Sequence, residues 1–247
     1  MKQPNPISPV LITSAVKPAS TSDTNLTSAC ARLHQCRDAI ADLLEKRLFG
    51  YYVIVDGSNV EIFDQTEIDA LAIKYGVQIE QLAFQQESEK VRLQGKSYGE
   101  LAIIFYALNH SKLMKEFGSF TKISGRYSIT NLHDVLLKVN HLKNFFFFDN
   151  PIFFNLNKKY TCTIVYRCET EFFQKAFNRT MEECSYDKNG FLESIFYRRL
   201  APLNKKGVRV QFPYYTGISG VTGESIINSK YFFRNVLSKA GILCHTF

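Results

Sequence analysis

Runs of consecutive apolar residues alternate along the first third of the chain with a segment of helical periodicity. Apolar runs at 9–14 and 51–55 predict buried strands, and a third strand is predicted at 77–84. Between the first two runs, apolar residues recur at helical spacing and predict a helix over 29–48. A strand, a helix and a strand in this order predict a parallel pair with a right-handed crossover. The pattern therefore indicates an α/β protein with a mostly parallel central sheet flanked by helices.

The rest of the chain continues this alternation, with no internal repeat and no composition break that would mark a second domain. We expect one catalytic domain over 9–247, preceded by a flexible tail at 1–8. Polar segments at 17–28 and 85–94 are predicted loops, and the small-residue segment 217–223 is a candidate lid. Further strands are predicted at 120–129, 145–148, 160–166 and 208–212, and further helices at 66–75, 97–117, 131–137, 170–181, 191–200 and 231–240.

The segment Gln94–Glu100 joins a glycine and a lysine to a predicted helix start. Ser97 and Glu100 are spaced as in a capping box, and an apolar-periodic run follows them. A helix N-terminus presents free backbone N–H groups and partial positive charge, which suit a phosphate. The segment does not match a nucleotide-triphosphate P-loop, because position 90 is a lysine where that loop needs glycine. Lys96 and Ser97 are therefore candidate phosphate ligands, with a well-capped core helix as the alternative.

Composition and charge narrow the class of partner. The chain has 247 residues, 45% of them hydrophobic and 21% charged, with a net charge of +7 and a pI of about 9.0. A basic balance favours an anionic partner, whether nucleic acid, a phosphorylated substrate or an anionic lipid surface. The six cysteines form no Cys-x-x-Cys pair, and no signal peptide or 18-residue apolar run is evident. These features predict a cytoplasmic protein with reduced thiols.

Asp56 ends a hydrophobic strand and is followed by Gly-Ser-Asn. This segment, 53–59, resembles the first acidic strand of PIN/NYN-type ribonucleases. Such enzymes hold Mg²⁺ with several converging carboxylates, for which Asp149, Asp134 and Asp187 are the available candidates. A Mg²⁺-dependent ribonuclease is therefore one alternative. A non-catalytic RNA-binding module is another, although most phenylalanines lie in apolar runs that indicate a core.

Four other segments resemble bacterial glycosyltransferases of the GT-A type that build capsule and lipopolysaccharide. They are Gly95–Glu100, Lys122–Tyr127, Leu192–Tyr197 and Gly217–Gly223, in the order expected for that group. The resemblance spans most of residues 9–224. It implies a GT-A-like, Rossmann-like fold and the transfer of a sugar, in the hexosyltransferase class, from a nucleotide-sugar donor to a surface glycan. The acceptor would be lipid-linked, with the protein cytoplasmic or peripheral at the inner membrane face.

The same resemblance implies a donor site at the ends of the first two strands, formed by Thr13, Ser14 and Asp56. Asp56 would hydrogen-bond the nucleobase. Many enzymes of this fold hold Mn²⁺ or Mg²⁺ with an Asp-x-Asp motif, but the chain contains none, and Ser124-Gly125-Arg126 takes its place.

We expect Lys96, Lys122 and Arg126 to replace the metal on the diphosphate, so that no cofactor is required, although Mn²⁺ or Mg²⁺ stays an alternative. The five histidines show no ligand spacing with one another.

An inverting transfer needs a carboxylate to accept the proton of the attacking hydroxyl. Glu193 is the candidate base because it lies in an otherwise apolar segment, with a helix N-terminal carboxylate as the alternative role. Asp149 and Glu169 are candidate acceptor-side residues. The sequence leaves open the sugar, the nucleotide, the acceptor, the anomeric outcome and the oligomeric state.

Overall fold

The computed structural model describes residues 8–19, 28–149, 160–203, 212–218, 236 and 245–246. Three predictions lie outside these residues wholly or in large part: the tail at 1–8, the strand at 208–212 and the helix at 231–240. Of the candidate lid at 217–223, only Gly217 and Ile218 are described.

The strands and helices follow the predicted alternation through the first half of the chain. The strands are β1 Val10–Ser14, β2 Tyr51–Asp56, β3 Gln78–Ala83, β4 Ser119–Ser124, β5 Ser128–Ile129, β6 Phe145–Asp149, β7 Tyr160–Glu169, β8 Tyr215–Thr216 and β9 His245–Thr246. The α-helices are α1 Ala29–Glu45, α2 Gln65–Tyr75, α3 Ser88–Gln94, α4 Lys96–His110, α5 Lys112–Glu116, α6 Leu132–Val139, α7 Thr170–Phe177, α8 Thr180–Glu183 and α9 Leu192–Leu200.

The central sheet has the strand order β3-β2-β1-β4-β7-β6-β9. The four strands β3, β2, β1 and β4 pair in parallel, and β7 is antiparallel to both β4 and β6. Strand β6 consequently runs in the same direction as β4, so the sheet is mostly parallel. Strands β5 and β8 form a separate antiparallel pair. The predicted α/β class with a mostly parallel sheet is confirmed.

Helices cover both faces of the sheet, and β1, β2 and β4 are largely buried between them, whereas β3 at the end of the strand order is partly exposed. On one face, Ile12 and Ile54 pack in a cluster with residues of α1 and α6. On the other face, Leu11 and Val53 pack in a cluster with residues of α4, α7 and α9. This division follows from strand geometry, because successive side chains of a strand point to opposite faces.

The phenylalanine run of β6 supplies both clusters, as the sequence predicted for a buried strand. Phe145 to Phe148 are all between 0% and 5% exposed. Phe146 and Tyr166 stack with ring centroids 5.1 Å apart, and Phe177 stacks on Phe196 at 4.0 Å. Aromatic packing of this kind adds to the free energy gained by burial.

The start of α4 differs from the predicted capping box. Gly95 is its N-cap, with φ of 83°, and no side chain caps the helix. Helix α3 occupies most of the segment predicted as the loop 85–94, and it ends at Gln94, just before this glycine. The backbone of Gly95 lies in a region that side chains disfavour, and this lets one helix end and another begin with a single residue between them.

A further element differs from the prediction. The predicted strand 120–129 is broken after Ser124 by a turn, because Gly125 packs against β1 and Ser128–Ile129 joins the other sheet.

None of the helices within the described ranges combines the length and the hydrophobicity that a membrane span requires.

Candidate functional site

Strands β1, β2 and β4 end at the same edge of the sheet, which we call the carboxyl edge. The side chain of Asp56 holds the two chain segments that follow β1 and β2 at this edge. Its carboxylate accepts five hydrogen bonds, from the backbone N–H groups of Val16, Ser58 and Val60 and from the hydroxyls of Ser14 and Ser58. Asp56 is fully buried. The carboxylate therefore holds the two turns together, and its hydrogen-bonding capacity is used within the protein.

A cavity of about 270 Å³ lies at the carboxyl edge, between this edge and the first turn of α4. Strands β1, β4 and β7 and helices α1, α4 and α9 all contribute side chains to it. The polar and charged lining residues are Thr13, Ser14, Arg32, Gln86, Lys96, Glu100, Ser124, Arg126, Tyr127, Thr163, Tyr186 and Glu193. A crevice at the carboxyl ends of parallel strands is where ligands bind in open α/β sheets.

One side of the cavity is basic. The Nη1 nitrogen of Arg126 is buried and has no hydrogen-bond partner among the described residues. Arg32 lies on α1, where its Nε and Nη2 atoms donate to the carbonyl of Ala15 at 2.9 Å and 2.6 Å. Burial and, next, the charge of Arg126 lower the pKa of Arg32 to about 10. Because the neighbouring Arg126 disfavours the charged form of Arg32, a bound anion would be favourable at this side of the cavity.

Lys96 adds a third cation at the start of α4. Its side chain is exposed, and its Nζ atom lies 5.9 Å from the centre of the Phe191 ring. The ring of Tyr186 packs against Gly95, the residue that precedes Lys96. The Tyr186 hydroxyl donates a hydrogen bond to the carbonyl of Arg92 at 2.9 Å. This arrangement brings a cation, a helix N-terminus and an aromatic side chain to one wall of the cavity.

Lys122 behaves differently from the other cations. It is fully buried, and its Nζ atom forms an ion pair with Glu100. It also donates to the hydroxyl of Ser124 at 2.7 Å and to the carbonyl of Thr163 at 2.6 Å. An ammonium group has three N–H donors, so all of them are used within the protein. The structure thus contradicts the expectation that Lys122 binds the donor directly.

Glu193 lies in the first turn of α9 and faces the cavity from the side opposite β1. Its Oε1 atom accepts a hydrogen bond from the Thr163 hydroxyl at 3.2 Å. Burial raises the pKa of Glu193, and the charge of Glu100 raises it further, whereas Lys96 and the Thr163 hydroxyl act in the opposite direction. A carboxyl group with a raised pKa in a cavity is suited to proton transfer.

The structure brings together five of the predicted site residues and separates the others. Thr13, Ser14, Lys96, Arg126 and Glu193 all line the cavity.

Three predicted residues play structural roles instead. Asp56 and Lys122 have their polar atoms engaged inside the protein, as described above. The Ser97 hydroxyl accepts a hydrogen bond from the backbone N–H of Leu192 at 3.0 Å, and Ser97 is buried. This bond joins α4 to α9, so Ser97 acts as a link between helices and does not line the cavity.

The two predicted acceptor-side residues lie at different edges of the sheet. Glu169 pairs with Ser119, at the start of β4, because β7 is antiparallel to β4. It therefore lies at the edge opposite the cavity, where it forms an ion pair with Lys143. This placement corrects the acceptor-side role of Glu169. Asp149 ends β6, which runs in the same direction as β4. Its backbone therefore lies at the carboxyl edge, as the cavity does.

Seven polar or charged residues of the cavity were not predicted as site residues: Arg32, Gln86, Glu100, Ser124, Tyr127, Thr163 and Tyr186. Arg32 could have been found, because it precedes Cys36 and Ile40 at spacings of four and lies on the apolar face of its helix. A charged residue on such a face is either paired or functional. Nothing in the local sequence marks Thr163, since its role depends on contacts with α9 and β4.

The donor set of the cavity is a poor fit for a divalent metal ion. Hard cations prefer several oxygen ligands. The charged oxygen groups lining the cavity are those of Glu100, which is paired with Lys122, and Glu193. In the part of the chain that is described, no three His, Cys, Asp or Glu side chains cluster as metal ligands.

No family model matches the sequence, and neither does any curated protein. Among the solved structures that match, two do so over nearly their whole length. The inositol-1-phosphate CTP transferase from T. maritima shares 12% identity, covering 97% of this chain and 99% of that one, with a TM-score of 0.47. A protein described as a glucose-1-phosphate thymidylyltransferase from Bacillus anthracis, in complex with sucrose, shares 10% identity over 94% and 95%, with a TM-score of 0.49. At these values the similarity does not extend to an activity.

Proposed function

We propose that this protein is a glycosyltransferase that moves a sugar from a nucleotide-sugar donor to a glycan acceptor. One observation carries the proposal: a single cavity at the carboxyl edge holds an unpartnered Arg126 nitrogen, Lys96 and the carboxyl group of Glu193. The two cations suit an anionic donor and leaving group. The carboxyl group suits a hydroxyl that must lose a proton as it attacks.

The basic side of the cavity is where the donor's phosphates bind. When the sugar leaves, negative charge develops on the nucleoside phosphate oxygens. Arg126, with a guanidinium nitrogen already buried at the cavity, stabilises that charge with little reorganisation, and the exposed Lys96 adds a second positive charge. A guanidinium group can also donate two parallel hydrogen bonds to phosphate oxygens. Thr13 and Ser14 contribute to the same wall from the end of β1.

Glu193 acts as the base on the acceptor side. Its carboxylate accepts the proton of the acceptor hydroxyl while that oxygen attacks the anomeric carbon and the nucleoside phosphate leaves with the bonding electron pair. This single displacement at the anomeric carbon corresponds to inverting transfer of the sugar. Burial favours the protonated carboxyl group, which makes its carboxylate a better proton acceptor than an exposed one. Asp149 stays a candidate for the acceptor side.

The acceptor and the cellular location are proposed from the resemblance of the four sequence segments alone. They indicate a capsule or lipopolysaccharide glycan, lipid-linked, with the protein cytoplasmic or peripheral at the inner membrane face. The net charge of +7 is consistent with an anionic surface.

The ribonuclease alternative has weaker geometric support. Asp56, its principal residue, already accepts five hydrogen bonds and is fully buried. The side chains of Asp134 and Asp187 are exposed and do not line the cavity. The RNA-binding module is disfavoured because the phenylalanines of β6 lie in the core and are not available for stacking.

A thermal-shift screen tests the proposal. The panel is UDP, GDP, CMP and dTDP, each with EDTA and with Mn²⁺, plus a short RNA. A nucleotide that binds only the folded protein raises the Tm by mass action. We expect a rise with one nucleotide that persists in EDTA and disappears in Arg126→Met. A rise with RNA and with no nucleotide would contradict the proposal, whereas a rise that requires Mn²⁺ would contradict only the replacement of a metal by cations.

The variant Glu193→Gln tests the role of the base. The amide keeps the size of the side chain but cannot accept the proton, so turnover should fall about 100-fold or more with little change in donor affinity. Glu183→Gln is the control and should keep full turnover, because this half-buried carboxylate lies outside the cavity and pairs with Arg198 and Arg199. Unchanged turnover in Glu193→Gln would remove this residue from the mechanism.

A further inference from the structure

Thr163 is the residue of β7 that connects the buried cation to the candidate base. Its carbonyl accepts a hydrogen bond from the Nζ atom of Lys122 at 2.6 Å, and its hydroxyl donates to Glu193 at 3.2 Å. Lys122 is anchored in turn by Glu100 of α4 and by Ser124 of its own strand. Hydrogen bonds and an ion pair of Lys122 thus join α4, β4 and β7. The hydroxyl of Thr163 extends from this network to the carboxylate of Glu193.

We propose that Thr163 is a positioning residue, whose hydroxyl holds the carboxylate of Glu193 in the orientation that accepts a proton. The inference rests on the proposed function, since it assigns Glu193 the role of base. Thr163 touches neither donor nor acceptor in this account and acts only through Glu193. A β-branched side chain suits the task, because its χ1 angle is restricted and the hydroxyl direction is fixed by the strand.

The neighbouring charges do not fix the orientation of Glu193 by themselves. Glu100 and Lys96, both of α4, are the charged groups that act on it, and they act in opposite directions. Glu100 repels the carboxylate, and Lys96 is exposed and attached by a flexible chain. The Thr163 hydroxyl is the side chain of β7 that donates directly to it. A hydrogen bond donated from a strand residue is directional in a way that these two charges are not.

Strand β7 provides a matched control. Thr161 lies two residues before Thr163 and is also buried, but its hydroxyl has no hydrogen-bond partner among the described residues. The substitution Thr161→Val therefore makes the same chemical change at a site where no bond is lost. It should leave the turnover and the ionisation of Glu193 as they are.

The test is the titration of Glu193 by NMR in protein labelled with 13C at the glutamate carboxyl carbons, with the signal assigned through Glu193→Gln. A donated hydrogen bond stabilises the charged form, so Thr163→Val should raise the pKa of Glu193 by about 0.5 to 1. Thr163→Ser keeps the hydroxyl and should restore the original titration, and Thr161→Val should not change it. If Thr163→Val titrates as the unmodified protein does, the inference is wrong.

A kinetic measurement tests whether the Thr163 hydroxyl also affects turnover. In Thr163→Val we expect kcat to fall about fivefold at an unchanged KM for the donor, with the acid limb of the pH profile moved upward. Equal kcat in Thr163→Val and Thr161→Val would overturn the positioning role. The NMR titration uses no substrate, so its result can be judged even if no nucleotide-sugar is turned over, which would instead contradict the proposed function.

Discussion

Replacing Arg126 by methionine separates the binding role of this side chain from any structural one. The buried Nη1 atom of Arg126 has no partner within the described protein, so removing it leaves no acceptor unpaired there. The methionine keeps most of the apolar stem. We therefore expect the free energy of unfolding in urea to change by less than about 1 kcal/mol.

Binding of the nucleotide should change much more. A hydrogen bond to a charged group contributes about 1.5 to 3 kcal/mol, which corresponds to a loss of affinity of about 10- to 150-fold. Arg126→Lys keeps the charge but not the planar pair of donors, so its loss should be intermediate. The assay is isothermal titration calorimetry with the nucleoside phosphate that raises the Tm most.

Arg37→Met is the matched control. Arg37 lies on α1 outside the cavity, where it forms an ion pair with Glu67, and its loss changes the net charge by the same amount. Nucleotide affinity should be unchanged in this variant within about twofold at 0.15 M salt, since screening weakens distant charges. Equal affinity in Arg126→Met and the unmodified protein would refute the assignment of Arg126 to the phosphates.

Four further predictions concern packing and pH. Gly125→Ala should lower the free energy of unfolding by about 1 to 3 kcal/mol in urea titrations, because a Cβ atom would lie 3.1 Å from the carbonyl of Thr13. Phe196→Ala should cost about 3 to 5 kcal/mol by the same method, since this ring is fully buried and stacks on Phe177. The raised pKa of Glu193 predicts that kcat/KM rises with pH through a value above the usual 4.5. Because ionising this group costs stability as pH rises from its unfolded toward its folded pKa, Glu193→Gln should have a higher Tm than the unmodified protein at pH 8 and an equal Tm at pH 4.

The parallel half of the sheet was predictable because its strands are local features. Strands β1 and β2 are largely apolar, and the helix between them shows a clear period, whereas the half-buried β3 mixes apolar and polar residues. Their carboxyl ends meet by the geometry of parallel pairing, which is why Thr13 and Ser14 were expected at the cavity.

The direction of β7 was not predictable in the same way. Its sequence is compatible with either orientation, and the antiparallel pairing with β4 decides that Thr163 lies near the cavity and Glu169 lies at the far edge. Such pairing depends on contacts between residues distant in sequence, which a local pattern does not encode.

The roles of Asp56 and Lys122 show a second limit. Asp56 ends β2 and Lys122 lies within β4, and the sequence analysis placed both in a donor site at this edge. It does not indicate whether a charged group faces a ligand or satisfies the protein's own turns. That distinction depends on burial and on the number of internal partners, which are five hydrogen bonds for Asp56 and three polar contacts for Lys122.

The central claim is that the cavity binds a nucleotide-sugar and transfers its sugar. The most direct measurement is to incubate the protein in EDTA with UDP-, GDP-, CMP- and dTDP-sugars and to identify the released nucleotide by mass spectrometry. The account predicts release from one donor class, with the sugar recovered on water or on an added glycan, and loss of release in both Arg126→Met and Glu193→Gln. Release from no donor, in EDTA or with Mn²⁺, by a protein that binds or cleaves RNA would contradict it.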